Sequence, residues 1–223
     1  EEMSTVTLSL FSVPVFRSKL DKNASDFFKN ELLPCISKEL DSANPPEDWA
    51  TDNLRTNFPG GGKWFDEKRD IIDPVLNSLL VNQFDHKISF EVSGKLWFNW
   101  YEEGSYQEIH DHLPDDFQTN HFACIYFLSY DEEVHTPVDF MDPLHQIRRL
   151  SYQIPNHESS VYDWYTPEVS EGTFLMFPSY LYHRVKPQKK SSKKPRVTIS
   201  FNVNARDLWD PKYELPEWNP PHR

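Results

Sequence analysis

The feature that most constrains this chain is a change of hydrophobic period near residue 87. Before it, apolar residues recur every three to five positions; after it they alternate in short runs, separated by turn residues, as far as Ala205. The strand-like runs are residues 88–92, 96–101, 106–112, 122–130, 138–141, 147–154, 160–164, 173–177, 181–186 and 196–204. So many short strands with no interleaved helical pattern exclude a parallel α/β sheet and predict a mainly β domain with flanking helices, a sandwich or jelly roll. A length of 223 residues fits one domain. Its expected parts are helical support over 1–87, a β core over 88–205 and a tail over 206–223 rich in Pro, Trp and charge.

The N-terminal third begins with an extended lead over 6–16, expected as an edge strand because Pro14 interrupts it. Such an edge can pair with a second copy, so a homodimer is one expected assembly. Asn23 is a candidate cap for a helix whose apolar set is Phe27, Phe28, Leu32, Ile36 and Leu40, with a bend expected at Pro34. A second helix should follow Asp66, with Ile71, Ile72, Val75, Leu76, Leu79 and Leu80 on one face and Pro74 inside it. Between them, Pro45, Pro46, Pro59 and the run Gly60, Gly61, Gly62 mark a loop. The run lacks the Lys-Ser/Thr of a phosphate loop, and a flexible linker is expected.

Aromatic residues make up 15% of the chain and charged residues 26%, too aromatic for disorder and too charged for a membrane protein. The longest apolar stretches fall far short of the roughly 20 residues that cross a bilayer. Residues 1–20 lack a basic segment followed by an apolar one, so an intracellular, cytoplasmic location is expected. The formal net charge of −12 disfavours nucleic acid as a partner. Lys189, Lys190, Lys193 and Lys194 are expected to solvate a hairpin loop. Cys35 and Cys124 belong to no paired metal or redox motif and are expected to be reduced structural thiols.

Two segments carry chemistry. On a strand, alternate side chains share a face, so His110 and His112 point one way and Asp111 the other. Two imidazoles on one face form a metal clip, and His183, on a late strand that can return beside an early one, offers a third ligand. In the segment from Arg196 to Asn202, the residues Arg196, Thr198, Ser200 and Asn202 share one face, and Val197, Ile199 and Phe201 the other. A polar face headed by Arg is either a solvated surface or the wall of an anion pocket, where the guanidinium fork suits a carboxylate.

The stretches LFSVPVF (10–16), QEIHDH (107–112), ACIYFL (123–128), GTFLMFPSYLYH (172–183) and RVTISFN (196–202) stand in an order and spacing that resemble the iron(II)- and 2-oxoglutarate-dependent oxygenases, particularly the 2OG-Fe(II) oxygenase branch found in bacteria and phages. The resemblance covers most of residues 8–204. It implies a double-stranded β-helix, or cupin-like jelly roll, with Fe(II) on His110, His112 and His183. It also implies 2-oxoglutarate as cosubstrate, its C5 carboxylate on Arg196 and Thr198, and molecular oxygen as the second cosubstrate. The implied reaction is hydroxylation of an unactivated C–H bond, with release of succinate and carbon dioxide. No catalytic residue beyond the metal centre is implied, and the primary substrate stays open.

One departure stands out: the usual triad of these enzymes has a carboxylate where this chain has His112. Asp111, Asp139 and Asp142 are the alternative carboxylate ligands. Tyr126, on the strand after the clip, and Asn99, on the strand before it beside Trp97 and Tyr101, are further candidates to line the cosubstrate cavity. Tyr106 and Gln107 lie close to the clip in sequence. Two rival functions are a 2-oxoglutarate-independent dioxygenase of the cupin type and a non-catalytic jelly-roll protein that binds an acidic small molecule. Arg196 argues against the first.

Overall fold

The architecture below is that of a computed structural model, which describes residues 13–51, 53–81, 88–113, 120–145, 163–188 and 193–207. In chain order the elements are β1 (Phe16–Lys19), α1 (Lys22–Ser37), a 3-10 turn (Leu40–Ser42), β2 (Arg55–Thr56), α2 (Lys63–Asp66), α3 (Arg69–Val81), β3 (Ile88–Tyr101), β4 (Gln107–His110), β5 (Phe122–Ser129), β6 (Val138–Met141), β7 (Trp164–Tyr165), β8 (Thr173–Pro178), β9 (His183–Val185) and β10 (Arg196–Asp207). They form two antiparallel sheets, one of order β1-β8-β5-β10-β3-β2 and one of order β4-β9-β6-β7. This is the double-stranded β-helix arrangement. Residues 6–12 of the expected lead, the run 147–154, most of the run 160–164 and most of the tail 206–223 lie outside the described residues, as do Lys189 and Lys190.

The alternation along β5, β8 and β10 builds two cores from one sheet. Cys124, Tyr126, Leu128, Phe174, Met176, Val197, Ile199, Phe201 and Val203 face the helices, where Phe28, Leu32 and Ile36 of α1 and Ile72, Leu76 and Leu80 of α3 cover them. Ala123, Ile125, Phe127, Leu175 and Phe177 face the smaller sheet and meet Val138, Phe140 and Val185. A fully buried Leu or Phe contributes roughly 1.5–3 kcal/mol, so both faces of the six-stranded sheet are strongly held in register.

Several local expectations change. The cap of α1 is Asp21, whose carboxylate accepts the Ala24 N–H at 3.0 Å, two residues before the expected Asn23. Pro34 does not end α1: only one turn lies beyond it, and buried Ile36 holds that turn down. Pro74 is likewise inside α3. The glycine run is packed, not a flexible linker. Gly61 donates its N–H to the Leu96 carbonyl at 2.8 Å, and a Cβ on Gly60, whose φ is +111°, would stand 2.6 Å from that same oxygen. The N-terminal third also supplies both edge strands of the larger sheet, β1 and β2, in addition to its helices. The runs 88–92 and 96–101 are one strand, β3, which passes through Gly94 at φ +77°. Lys194 does not solvate a hairpin; its ammonium meets Glu171 at 2.6 Å and the Tyr130 carbonyl at 2.7 Å.

Candidate metal and cosubstrate site

Residues of both sheets line a cavity of ≈ 410 Å³. The smaller sheet contributes Gln107 and His110 of β4, Val138 of β6, and His183 and Val185 of β9. The larger contributes Asn99 and Tyr101 of β3, Ile125 of β5, and Arg196, Thr198, Ser200 and Asn202 of β10. Trp49 and Phe58, from the segment before α2, close part of the mouth against Trp97, with ring centroids 5.1 and 5.3 Å apart in succession.

At one end the cross-strand register sets His110 directly opposite His183, with a bulge between Gln107 and His110. His112 lies just past β4, where its N–H bonds the Ser179 carbonyl at 2.8 Å. One ring nitrogen from each of His110, His112 and His183 lies within 4.8 Å of the other two. Each Nδ1 faces an oxygen: the Glu108 carbonyl at 2.8 Å for His110, Asn202 Oδ1 at 2.7 Å for His112 and the Leu181 carbonyl at 3.0 Å for His183. Carbonyl oxygens only accept, so each Nδ1 carries the proton and each Nε2 keeps its lone pair. Burial disfavours the charged form of all three, lowering the His110 pKa, the His112 pKa to about 4 and the His183 pKa well below its ordinary value. Three neutral imidazoles with free Nε2 atoms at this spacing fit a divalent transition metal.

The alternative carboxylates stand outside the histidine cluster, although Asp111 lines the same cavity. Asp139 is on the opposite face of β6, 2% exposed, and meets Lys186 at 2.6 Å, Thr166 Oγ1 at 2.5 Å and Arg184 at 3.5 Å. Asp142 Oδ1 accepts the Leu144 N–H, and Asp111 Oδ1 accepts the Leu113 N–H, both at 3.0 Å. Among the described residues, the close-set metal-ligating cluster contains histidines alone.

Val185, next inward along β9, pairs with Gln107, whose Oε1 accepts from the Tyr101 hydroxyl at 3.1 Å. Tyr101 leads to the other end of the cavity, where the Arg196 guanidinium stacks 3.9 Å over its ring, near Phe127 and Tyr130. Arg196 is 1% exposed, donates Nε–H to the Thr136 carbonyl at 2.9 Å and has no hydrogen-bond partner for Nη1. No carboxylate lies within ion-pair distance of it among the described residues. A buried, unpaired cation beside Thr198 in a cavity of this size fits a small dicarboxylate.

The alternation thus puts Arg196, Thr198 and Asn99 on the cavity wall. It misplaces Tyr126, which lies in the helix-facing core, edge-on to Phe28 at 5.3 Å with its hydroxyl 3.4 Å from Ser25 Oγ. The wall position on β5 is Ile125: Tyr126 has the opposite parity. Tyr106 bonds the Ala50 carbonyl at 2.7 Å. Sequence reasoning set Asn202 on the polar face without a role, and it left out Trp49 and Phe58, which only tertiary folding brings to the mouth.

Two sheets around a histidine cluster and a buried arginine define a class, the double-stranded β-helix proteins that use a metal and an acidic cosubstrate. Residues 95–202 match the family described as "Putative 2OG-Fe(II) oxygenase"; the match and the site together identify a 2-oxoglutarate-dependent oxidoreductase whose cofactors are Fe(II) and 2-oxoglutarate. Solved structures similar in fold include a prolyl-4-hydroxylase of Pseudomonas putida (14% identity, 88% of this chain and 95% of that one, TM-score 0.53). Others are a prolyl hydroxylase of Trichoplax adhaerens in complex with a hypoxia inducible factor peptide (13%, 85% and 82%, 0.56) and HygX of Streptomyces hygroscopicus with nickel, 2-oxoglutarate and hygromycin B bound (10%, 86% and 83%, 0.51). No curated protein matches the sequence. Among the described residues no helix is long and apolar enough to cross a membrane.

Proposed function

We propose that the chain hydroxylates an unactivated C–H bond, with Fe(II) on His110, His112 and His183 and the C5 carboxylate of 2-oxoglutarate on Arg196 and Thr198. The observation that carries this reading is the sharing of one cavity by the histidine cluster and the unpaired Arg196. The metal and cosubstrate would let dioxygen act as the oxidant, one oxygen atom going into succinate as 2-oxoglutarate loses carbon dioxide and the other into the substrate C–H bond. The chain's own part is binding and orientation. The carbonyl acceptors fix the three imidazoles, Tyr101 and Thr136 hold the guanidinium flat, and Ile125, Val138 and Val185 keep the cavity between the two ends dry. The similar folds named above include one in complex with a hypoxia inducible factor peptide and one with hygromycin B bound, so the primary substrate of this chain is not assigned by likeness.

The test is aerobic incubation of the purified protein with Fe(II) and 2-oxoglutarate, with succinate measured by proton NMR. Succinate that requires both additions is expected. Failure of 2-oxoglutarate to bind the metal-loaded protein, with no succinate formed, overturns the reading and favours the non-catalytic rival. Oxygen consumption with Fe(II) alone, unaffected by 2-oxoglutarate, would instead favour the cupin type.

A further inference from the structure

We propose that Asn202 is a positioning residue for His112, and that the two form a linked pair which lets histidine stand where a carboxylate ligand is usual. The inference rests on the three-histidine reading above. His110 and His183 take their Nδ1 acceptors from carbonyls two residues earlier on their own segments, Glu108 and Leu181. His112 does not. Its Nδ1–H donates at 2.7 Å to the side chain of Asn202, 90 residues away on the other sheet.

The fold delivers Asn202 to that place. The pairing of β10 with β3 shifts register between Ser200 and Asn202, so Ser200 stands opposite Trp97 and Asn202 opposite Ser93. Trp97 lies 5.7 Å from the His112 ring at a tilt of 31°, and Asn202 caps the ring's Nδ1 edge. An imidazole ligand needs this support because its two nitrogens are distinct: the proton must stay on Nδ1 for Nε2 to be free. A carboxylate at position 112 would present two equivalent oxygens and no N–H. The Asn202 oxygen would then have nothing to receive, and a turned amide would only donate Nδ2–H to a ligand that has no tautomer to fix. Asn202 is also neutral, so it orients His112 without adding negative charge beside the metal, unlike the carboxylate partners that metal-bound histidines often take.

The experiment is a double-mutant cycle read by calorimetric titration of Ni(II) into the metal-free protein without 2-oxoglutarate. The proteins are the wild type, Asn202→Ala, His112→Asp and His112→Asp with Asn202→Ala. Loss of an outer-shell partner of a ligating histidine costs roughly 10–100-fold in metal affinity, and a loss in that range is expected for Asn202→Ala in the wild-type background. Asn202→Asp, which keeps an acceptor, should bind at least as tightly as wild type. In the His112→Asp background, Asn202→Ala should change affinity by less than about twofold, a non-additivity that marks direct coupling.

Equal losses in both backgrounds make Asn202 a general structural residue and overturn the proposal. So does an unchanged affinity of Asn202→Ala in the wild-type background. If His112→Asp binds no Ni(II), the ring NMR signals of His112 in the metal-free protein replace that arm: Asn202→Ala must shift its population away from the Nδ1–H tautomer, and no shift sinks the pairing. Failure of the three-histidine reading looks different, since His112→Ala would then keep wild-type Ni(II) affinity.

Discussion

The two ends of the cavity are built on different principles. At the metal end most contacts are local: His110 and His112 are two residues apart, and the acceptors for His110 and His183 are backbone carbonyls two residues upstream, with only His183 itself and Asn202 arriving from distant strands. At the Arg196 end only Thr198 is local, and every group that holds the guanidinium comes from afar. The guanidinium rests on Tyr101, 95 residues earlier, and donates to Thr136, 60 residues earlier; Gln188 Oε1 in turn accepts the Thr136 N–H at 2.9 Å. Gln188 also donates its own N–H to the Ser105 carbonyl and accepts from the Gly104 N–H, both at 3.0 Å. One end is a short-range clip, and the other a knot of separate loops closed around one buried charge. Damage at the first should be all-or-none for the metal, whereas damage at the second should be graded for the cosubstrate.

The largest expected effect is at the clip. His183→Ala removes a 2% exposed member of the histidine cluster, and calorimetric titration should show loss of tight metal binding, while Asp111→Ala keeps it. Retention by His183→Ala, or loss by Asp111→Ala, would dissolve the contrast between the ends by bringing a carboxylate into the site. At the other end, Arg196→Met should leave Ni(II) binding intact but weaken 2-oxoglutarate binding to the Ni(II)-loaded protein by about 3–5 kcal/mol, the loss typical when one partner of a buried charge pair is removed. Equal affinity in the variant would make Arg196 a core packing residue.

The histidines also give the metal end a pH signature, carried by three buried rings, whereas the Arg196 end holds one histidine of lowered pKa, His135. His112 titrates near 4 when folded, against an ordinary value of 6.5, because burial and His110 disfavour its charged form. The unfolded chain therefore binds more protons between those two values, so stability of the metal-free protein falls as pH drops through that window. For His112 alone the loss is on the order of 3 kcal/mol by about pH 4, with His110 and His183 acting in the same direction. Thermal melts of metal-free protein from pH 7 to pH 4 should show the midpoint falling most steeply below 6.5, and a His112→Asn variant should show a shallower fall. A flat profile would mean that these rings are not buried neutral.

Gln188→Ala tests the knot with a smaller effect. It removes the acceptor for the Thr136 N–H but touches neither metal nor guanidinium, and loss of such a bond costs about 1–3 kcal/mol where the group left behind is buried. Metal affinity should be unchanged and 2-oxoglutarate affinity reduced less than in Arg196→Met. A fall in metal affinity equal to the fall in 2-oxoglutarate affinity would show that the two ends are one cooperative unit.

How much of this was legible follows from the same contrast. Strand parity alone sets His110 and His112 together, and it sets Arg196, Thr198 and Asn202 on one face, because a two-residue period is a local property. Register and loop closure are not local. The Asn202 contact with His112 depends on an irregularity between Ser200 and Asn202, and the Thr136 carbonyl depends on how the turn after β5 returns. Packing of the Gly60–Leu96 approach was equally hidden, since a glycine run in sequence is the same whether it is loose or pressed against a strand.

Tyr126 offers the smallest effect and the sharpest test of parity. Its assignment to the cavity went wrong by one residue: on β5 the wall position is Ile125, so Tyr126 turns to the helices and bonds Ser25 Oγ at 3.4 Å. Tyr126→Phe keeps the ring edge-on to Phe28 and removes only a long, weak hydrogen bond, whose net contribution is about 0.5–1.5 kcal/mol. The melting midpoint should fall by a few degrees at most, while metal and 2-oxoglutarate affinities stay at wild-type values. Ile125→Ala is the matched control on the opposite face. It opens space in the cavity wall and should alter 2-oxoglutarate affinity as well as stability. If Tyr126→Phe weakens 2-oxoglutarate binding and Ile125→Ala does not, β5 is turned over relative to the strands beside it. The pairing of Thr198 with Phe127 and Ser200 with Ile125 across β10 and β5 would then be off by one residue, and the cavity wall would have to be redrawn from that strand outward.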